Sequence, residues 1–268
     1  MVHSVRPAAV AGSFYPRAAG ELGDSVDALL AGAAQTQGPR PKAIIAPHAG
    51  YVYSGPIAAS AFSLFGRPGP AVTRVVLVGP AHRSWVDGLA ASDAVAFETP
   101  LGRVKVDLEA LARVSGVPAD AAAHAEEHSL EVELPFIQRV APEASIVPFV
   151  VGDARAEEVA QVLDALWGGP ETVIVVSSDL SHYLDYRSGR GLDERTAASI
   201  VALDPRPLDP EHACGARGID GLVRVARRRG LRAELVDLRS SGDTAGDRAR
   251  VVGYGAFAFY ERERSESQ

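Results

Sequence analysis

Apolar residues along this chain keep two rhythms, and the places where one gives way to the other outline its elements. Leu22, Val26, Leu29 and Leu30 recur at helical spacing within residues 18–34, as do Val159, Val162, Leu163 and Leu166 within 154–167. Other stretches stay apolar without alternation, as strands covered on both faces do: Lys42–Ala46, residues 74–79 (RVVLVG) and residues 172–179 (TVIVVSSD). Residues 145–152 (SIVPFVVG) read as a further strand, placed at an edge or a bulge because Pro148 has no N–H for a ladder.

The intervening spacing predicts helices over 56–65, with Pro56 in the first turn, and over Asp107–Ser115. It also predicts helices over Glu127–Val140, interrupted or bent by Pro135, over 191–202 and over 218–229. Residues 87–106 suit short strands and a hairpin, while Ala233–Leu238 and Val251–Tyr260 close the chain as two strands joined by SSGDTAGDRAR. The last eight residues are charged and predict a frayed end. Strands alternating with helices, without a biased linker or an internal repeat, predict one α/β domain over 1–268, with a core over about 6–260. Its central sheet is expected to be mostly parallel or mixed and flanked by helices.

Composition narrows the class. With 47% hydrophobic and 23% charged residues, the 268-residue chain is an ordinary globular protein. A net charge of -7 and the lack of an extended basic tract give no electrostatic reason for a nucleic-acid partner. No segment nears the roughly 18 continuous apolar residues of a membrane span. The single cysteine, Cys214, excludes an intrachain disulfide and fits a reducing cytoplasm, and the N-terminus lacks the h-region of a secretory signal. The expectation is a cytoplasmic protein; a homo-oligomer is compatible with the sequence, although no motif fixes one.

The chemistry collects where strands end. Ile44-Ile45 runs out at His48, Val76-Leu77-Val78 at His82, and Val175-Val176 at Ser177-Ser178-Asp179 with His182 beyond. In open α/β sheets ligands sit at the carboxyl ends of strands, so these positions can converge. Two imidazoles and the Cys214 thiol form a donor set open to zinc, iron or copper; a buried, inert cysteine is the plain alternative. AEEHSLEVELPF adds His128 and Glu131 three residues apart on a helix, where His128 is suited to moving a proton or to pairing with a carboxylate. In SSDLSHYLDY, Asp179 is placed to orient an imidazole or to bind backbone, and His182 to act as a general base. Ser, Asp and His also meet there, yet no G-x-S-x-G elbow supports a serine hydrolase, and neither G-x-G-x-x-G nor a P-loop occurs.

Taken in order, GSFYP (12–16), APHAGYVYSG (46–55), GPAH (79–82), EEHSLEVELPF (126–136), SSDLSH (177–182) and CG (214–215) resemble the Memo family over nearly the whole chain. That family is similar in fold to the class III extradiol dioxygenases, which open catechols with non-haem Fe(II). The resemblance implies one metal ion, Fe(II) or copper ahead of zinc, held by His48, His82 and Cys214, with His128, Asp179 and His182 as acid–base or orienting residues. His212 ranks below these as an added ligand.

The function so implied is a mononuclear, redox or dioxygenase-like enzyme acting on a small aromatic substrate. The alternative is a non-enzymatic copper- or iron-binding or peptide- or protein-interaction module. Relatives imply AMMECR-type and radical-SAM protein partners. Cys214 stands where the dioxygenases carry a glutamate; a thiolate is softer and oxidisable, so ring cleavage does not follow from fold alone.

Overall fold

The computed structural model describes residues 4–34, 37–244 and 246–262. The expected fraying of 263–268 lies outside them, as do Gln35, Thr36 and Ala245 in the two polar connections. The chain opens with β1 (Val5–Arg6), α1 (Ala19–Gly32), β2 (Ala43–Ala46) and α2 (Tyr51–Phe62), then β3 (Arg74–Pro80). Short elements follow: β4 (Leu89–Ala91), β5 (Ala96–Thr99), β6 (Gly102–Lys105), α3 (Leu108–Ala112), α4 (Ala121–Ala125), α5 (His128–Glu131) and α6 (Leu134–Val140). The second half carries β7 (Ser145–Val151), α7 (Ala156–Ala165), β8 (Thr172–Ser177), β9 (His182–Leu184) and α8 (Tyr186–Val201). It ends with α9 (Ala216–Arg229), β10 (Arg232–Ser240), α10 (Ser241–Thr244) and β11 (Val251–Tyr260).

The central sheet is mixed, in the order β10-β11-β2-β8-β3-β7-β4 with β9 added on β11. Its middle four strands, β2, β8, β3 and β7, are parallel, and antiparallel strands close both sides. The unbroken apolar runs have the predicted cause. Along β2, Ile44 and Ala46 join the core shared with α1, α2 and α6, while Ala43 and Ile45 join the core shared with α7, α8 and α9. Successive side chains alternate between faces, and both faces are covered by helices, so neither parity is polar. A small sheet, β1-β5-β6, adds Phe97 and Val104 to the first of these cores and contains the expected hairpin.

Several boundaries differ from the sequence reading, each for a physical reason. The α2 helix begins at Tyr51 rather than 56, because Tyr51 is buried and its hydroxyl donates to the Val132 carbonyl (2.8 Å). Pro56 therefore falls in the second turn, where it removes the bond to the carbonyl of exposed Val52. Of the two forms expected for Glu127–Val140, interrupted or bent, the helix is interrupted: Glu133 stands at the N-cap position of α6, and Pro135 occupies its first turn, where a missing N–H costs nothing. Pro148 is accommodated one strand in from the edge, since the outer ladder of β7 has a gap between the pairs Ala91–Phe149 and Val106–Ile146.

Candidate metal centre at the carboxyl edge

Parallel pairing brings the three polar strand ends together. β8 lies between β2 and β3, so the segments leaving Ala46, Ser177 and Pro80 emerge side by side. Asp179 Oδ1 accepts the His48 backbone N–H (2.8 Å), and the Ser178 N–H donates to the Ala46 carbonyl (2.8 Å). Of its two sequence alternatives, Asp179 thus takes backbone. Burial pushes its pKa up to about 7 despite the opposing His48 N–H.

The loop before α9 closes onto the same edge. Cys214 N–H donates to the Asp179 carbonyl and Asp179 N–H to Cys214 Sγ, both at 3.3 Å, while Gly215 N–H donates to Ser178 Oγ (2.9 Å). A Cβ on Gly215 would stand 2.7 Å from the Ser177 carbonyl oxygen, so only glycine lets Cys214 come this close. Burial, joined by the charge of Asp179, pushes the Cys214 thiol pKa up.

Three imidazoles face one another beside this thiol. Among the described residues, His48, His82 and His128 form a set whose ligand atoms all lie within 4.8 Å of one another. His82 and His128 stack with centroids 4.6 Å apart, and His48 stands edge-on to both. His48 Nε2 is 3.3 Å from Cys214 Sγ, and its Nδ1 is 2.6 Å from Ser177 Oγ. Glu127 takes both the His82 backbone N–H (2.5 Å) and its Nδ1 (2.9 Å), and also caps α5 through the Ser129 N–H (2.9 Å). Burial alone would raise Glu127, but His82 and these backbone donors outweigh it and hold the carboxylate at about 2. An ionised Glu127 accepts at His82 Nδ1 and leaves Nε2 as the ligand atom.

His128 Nδ1 is buried, lies 3.4 Å from Glu127 Oε1, and has no hydrogen-bond partner. Burial lowers its pKa to about 4, and burial with the two neighbouring imidazoles lowers that of His48 well below the ordinary range. Both are therefore neutral at pH 7, the form that binds metal. His182 sits on β9 opposite Val252; burial lowers its pKa, against an opposing hydrogen bond at the Leu180 backbone. His212 is outside the imidazole set, and its backbone N–H donates to the Asp209 carbonyl (2.8 Å).

The segment EEHSLEVELPF yields more than its histidine. Glu127, Glu131 and Glu133 are all buried. Glu131 does not pair with His128; it accepts from Arg6, from Ala9 and Val10 N–H (2.8 and 2.9 Å) and from the Tyr15 hydroxyl (2.5 Å), tying down the N-terminal arm. Glu133 meets Ser177 Oγ at 2.7 Å. The available sequence signal was acids alternating with Leu130, Val132 and Leu134, since charges set among buried apolar residues have partners inside.

The fold and site define an α/β protein with a histidine-rich cluster at the carboxyl edge of a mixed sheet, suited to holding a metal ion. Comparison with known sequences gives the family: the family model described as "Memo-like protein" matches residues 6–258, and the chain belongs to the Memo family. Similar proteins, each described as a MEMO1 family protein, include one from Aquifex aeolicus, 36% identical over 93% of this chain and 97% of its own. Others are one from Archaeoglobus fulgidus, 35% identical over 93% and 97%, and one from Nitrosopumilus maritimus, 30% identical over 95% and 99%. No helix among the described residues is long and apolar enough to cross a membrane.

Proposed function

We propose that this edge holds one transition-metal ion on His48, His82 and Cys214, faced by His128, and that the centre serves redox or dioxygenase-like chemistry on a small aromatic molecule. The observation that carries the metal reading is the convergence of three imidazoles with ligand atoms within 4.8 Å of one another. Cys214 is assigned as third ligand because its 3.3 Å separation from His48 Nε2 is near the roughly 3.6 Å that sulfur and nitrogen keep across one tetrahedral ion. Fe(II) or copper suits redox use, and zinc suits the same donors. Such an ion supplies Lewis acidity and, for iron or copper, electron transfer when bound.

The chain's own groups do the rest. His128, neutral at pH 7, accepts a proton; Asp179 holds the His48 main chain; His182 flanks the cluster as a further base. A cavity of about 330 Å³ lies beside the cluster: it is lined by Ser177 and Cys214 together with Pro80, Val86, Val151 and Val176, and none of the site histidines lines it, so of the assigned ligands it touches Cys214 alone. Anaerobic loading with Fe(II), followed by oxygen uptake on a panel of catechols, tests the enzymatic half. Uptake above that of Fe(II) with the same catechol supports it; equal uptake rejects it.

Exposed aromatics favour a second reading, a metal-bearing interaction module. Tyr53, Trp85 and Tyr183 are exposed, and each follows a site histidine within five residues. Tyr and Trp are the residues most used as interface anchors. Capture of an AMMECR-type or radical-SAM partner by the wild type, lost in Trp85→Ala, supports this reading; capture unchanged by that substitution places the contact elsewhere.

A further inference from the structure

The Ser177 hydroxyl carries more contacts than it has hydrogens. Its Oγ, fully buried, stands 2.6 Å from His48 Nδ1, 2.7 Å from the Ser129 carbonyl oxygen and 2.7 Å from Glu133 Oε1. A hydroxyl offers one hydrogen and two lone pairs. The Ser129 carbonyl can only accept, so a 2.7 Å contact with it takes the one hydrogen. His48 and Glu133 then both face lone pairs, and each must donate: His48 through Nδ1–H, Glu133 through a carboxylic acid proton.

The competing assignments are poorer. Giving the hydrogen to Glu133 sets two oxygen lone pairs against each other at the Ser129 carbonyl and still makes His48 the donor. Giving it to His48 Nδ1 leaves the carbonyl contact without a hydrogen at a buried position, where an unmet acceptor keeps its full desolvation cost. Glu133 is also fully buried, and its other oxygen, Oε2, has no hydrogen-bond partner. An ionised carboxylate with a bare oxygen there is far costlier than a neutral acid; burial accordingly pushes the Glu133 pKa well above the ordinary range.

We propose that Glu133 and Ser177 form a hydrogen-bond chain that locks His48 in the Nδ1–H tautomer and presents its bare Nε2 to the cluster, making Glu133 a positioning residue that acts on the metal centre through Ser177. This rests on the metal reading for its purpose, though the tautomer can be observed without metal. The lock matches what Glu127 does directly for His82: two ligand rings are fixed by two different buried acids, one charged and touching, the other neutral and acting through a hydroxyl.

The test uses the full-length, metal-free protein labelled with 15N-histidine, in which long-range 1H–15N correlations report the tautomer of each ring. The wild type is expected to show His48 as Nδ1–H. Ser177→Ala removes the acceptor and should let the Nε2–H form appear, Glu133→Leu should do so in part, and Glu133→Gln, which keeps an N–H donor, should restore the wild-type pattern. Zn(II) affinity by competition with a chromophoric chelator should fall roughly 10- to 100-fold in Ser177→Ala and stay within about threefold in Glu133→Gln. A wild-type His48 in the Nε2–H form, or a Ser177→Ala protein with tautomer and affinity both unchanged, overturns the lock. A wild type that shows the lock but takes up no Zn(II) sinks the metal reading instead, so the two failures are distinguishable.

Discussion

Glu131 and Glu133 are two residues apart, equally buried, and solve the same problem in opposite ways. Glu131 gathers four donors, from Arg6, Ala9, Val10 and Tyr15, and so fastens the N-terminal arm to α5. Glu133 meets a single serine and keeps one oxygen without a partner. A carboxyl saturated by donors is scaffold, since each lone pair is spent on holding chain segments together. One left short of donors next to titratable rings belongs to the site, because the fold has tolerated its cost there.

Removing the scaffold acid should cost most. Glu131→Ala leaves the Arg6 charge buried and unpaired, and urea denaturation should show a loss of about 3–5 kcal/mol. Arg6→Met with Glu131→Leu should recover only part, because Tyr15 and the Ala9 and Val10 N–H groups still lack their acceptor. Full recovery would mean the four donors matter less than the ion pair.

Next in size is an acid sensitivity in the same network. Arg6 Nε donates to the carbonyl of His124 (2.9 Å), whose pKa burial lowers to about 4. The folded value is below the unfolded one, so the stability contribution of His124 is complete above about pH 6.5 and is lost as pH falls through about 4. The full difference is worth about 3 kcal/mol. His124→Gln keeps a donor for the Ala90 carbonyl, so its stability should fall less steeply between pH 6.5 and 4 than that of the wild type; parallel pH curves would contradict this.

Tyr15→Phe removes one of the four donors to Glu131 and should cost about 1.5–3 kcal/mol, read from the same denaturation experiment. Glu133→Gln should be the mildest, within about 1 kcal/mol, because a neutral amide replaces a neutral acid. If Glu133→Gln proves as costly as Glu131→Ala, the division between scaffold and site acids fails.

The sequence was informative where the physics is local. Both faces of β2, β3 and β8 are covered, which leaves an unbroken apolar run, and His48 and His82 stand where those runs stop, so strands and candidate ligands could be read together. Long-range partners leave no such trace. Glu127 reaches His82 across 45 residues, Glu133 reaches Ser177 across 44 and Glu131 reaches Arg6 across 125, so EEHSLEVELPF was read as a helix with one useful histidine. An interruption at Pro135 is one of the two readings the sequence allows; the break falls slightly earlier, with Glu133 at the N-cap of α6 and Pro135 inside its first turn, a position that proline alone does not reveal.

The central claim is that strand ends meet to bind one metal ion, and metal content tests it most directly. Untagged protein purified anaerobically without chelator, and analysed for iron, copper and zinc by elemental mass spectrometry beside His48→Ala, His82→Ala and Cys214→Ala, should carry close to one equivalent that all three folded variants lose. No metal in the wild type after purification and after anaerobic reconstitution, or an equivalent that survives His48→Ala and His82→Ala, would contradict it.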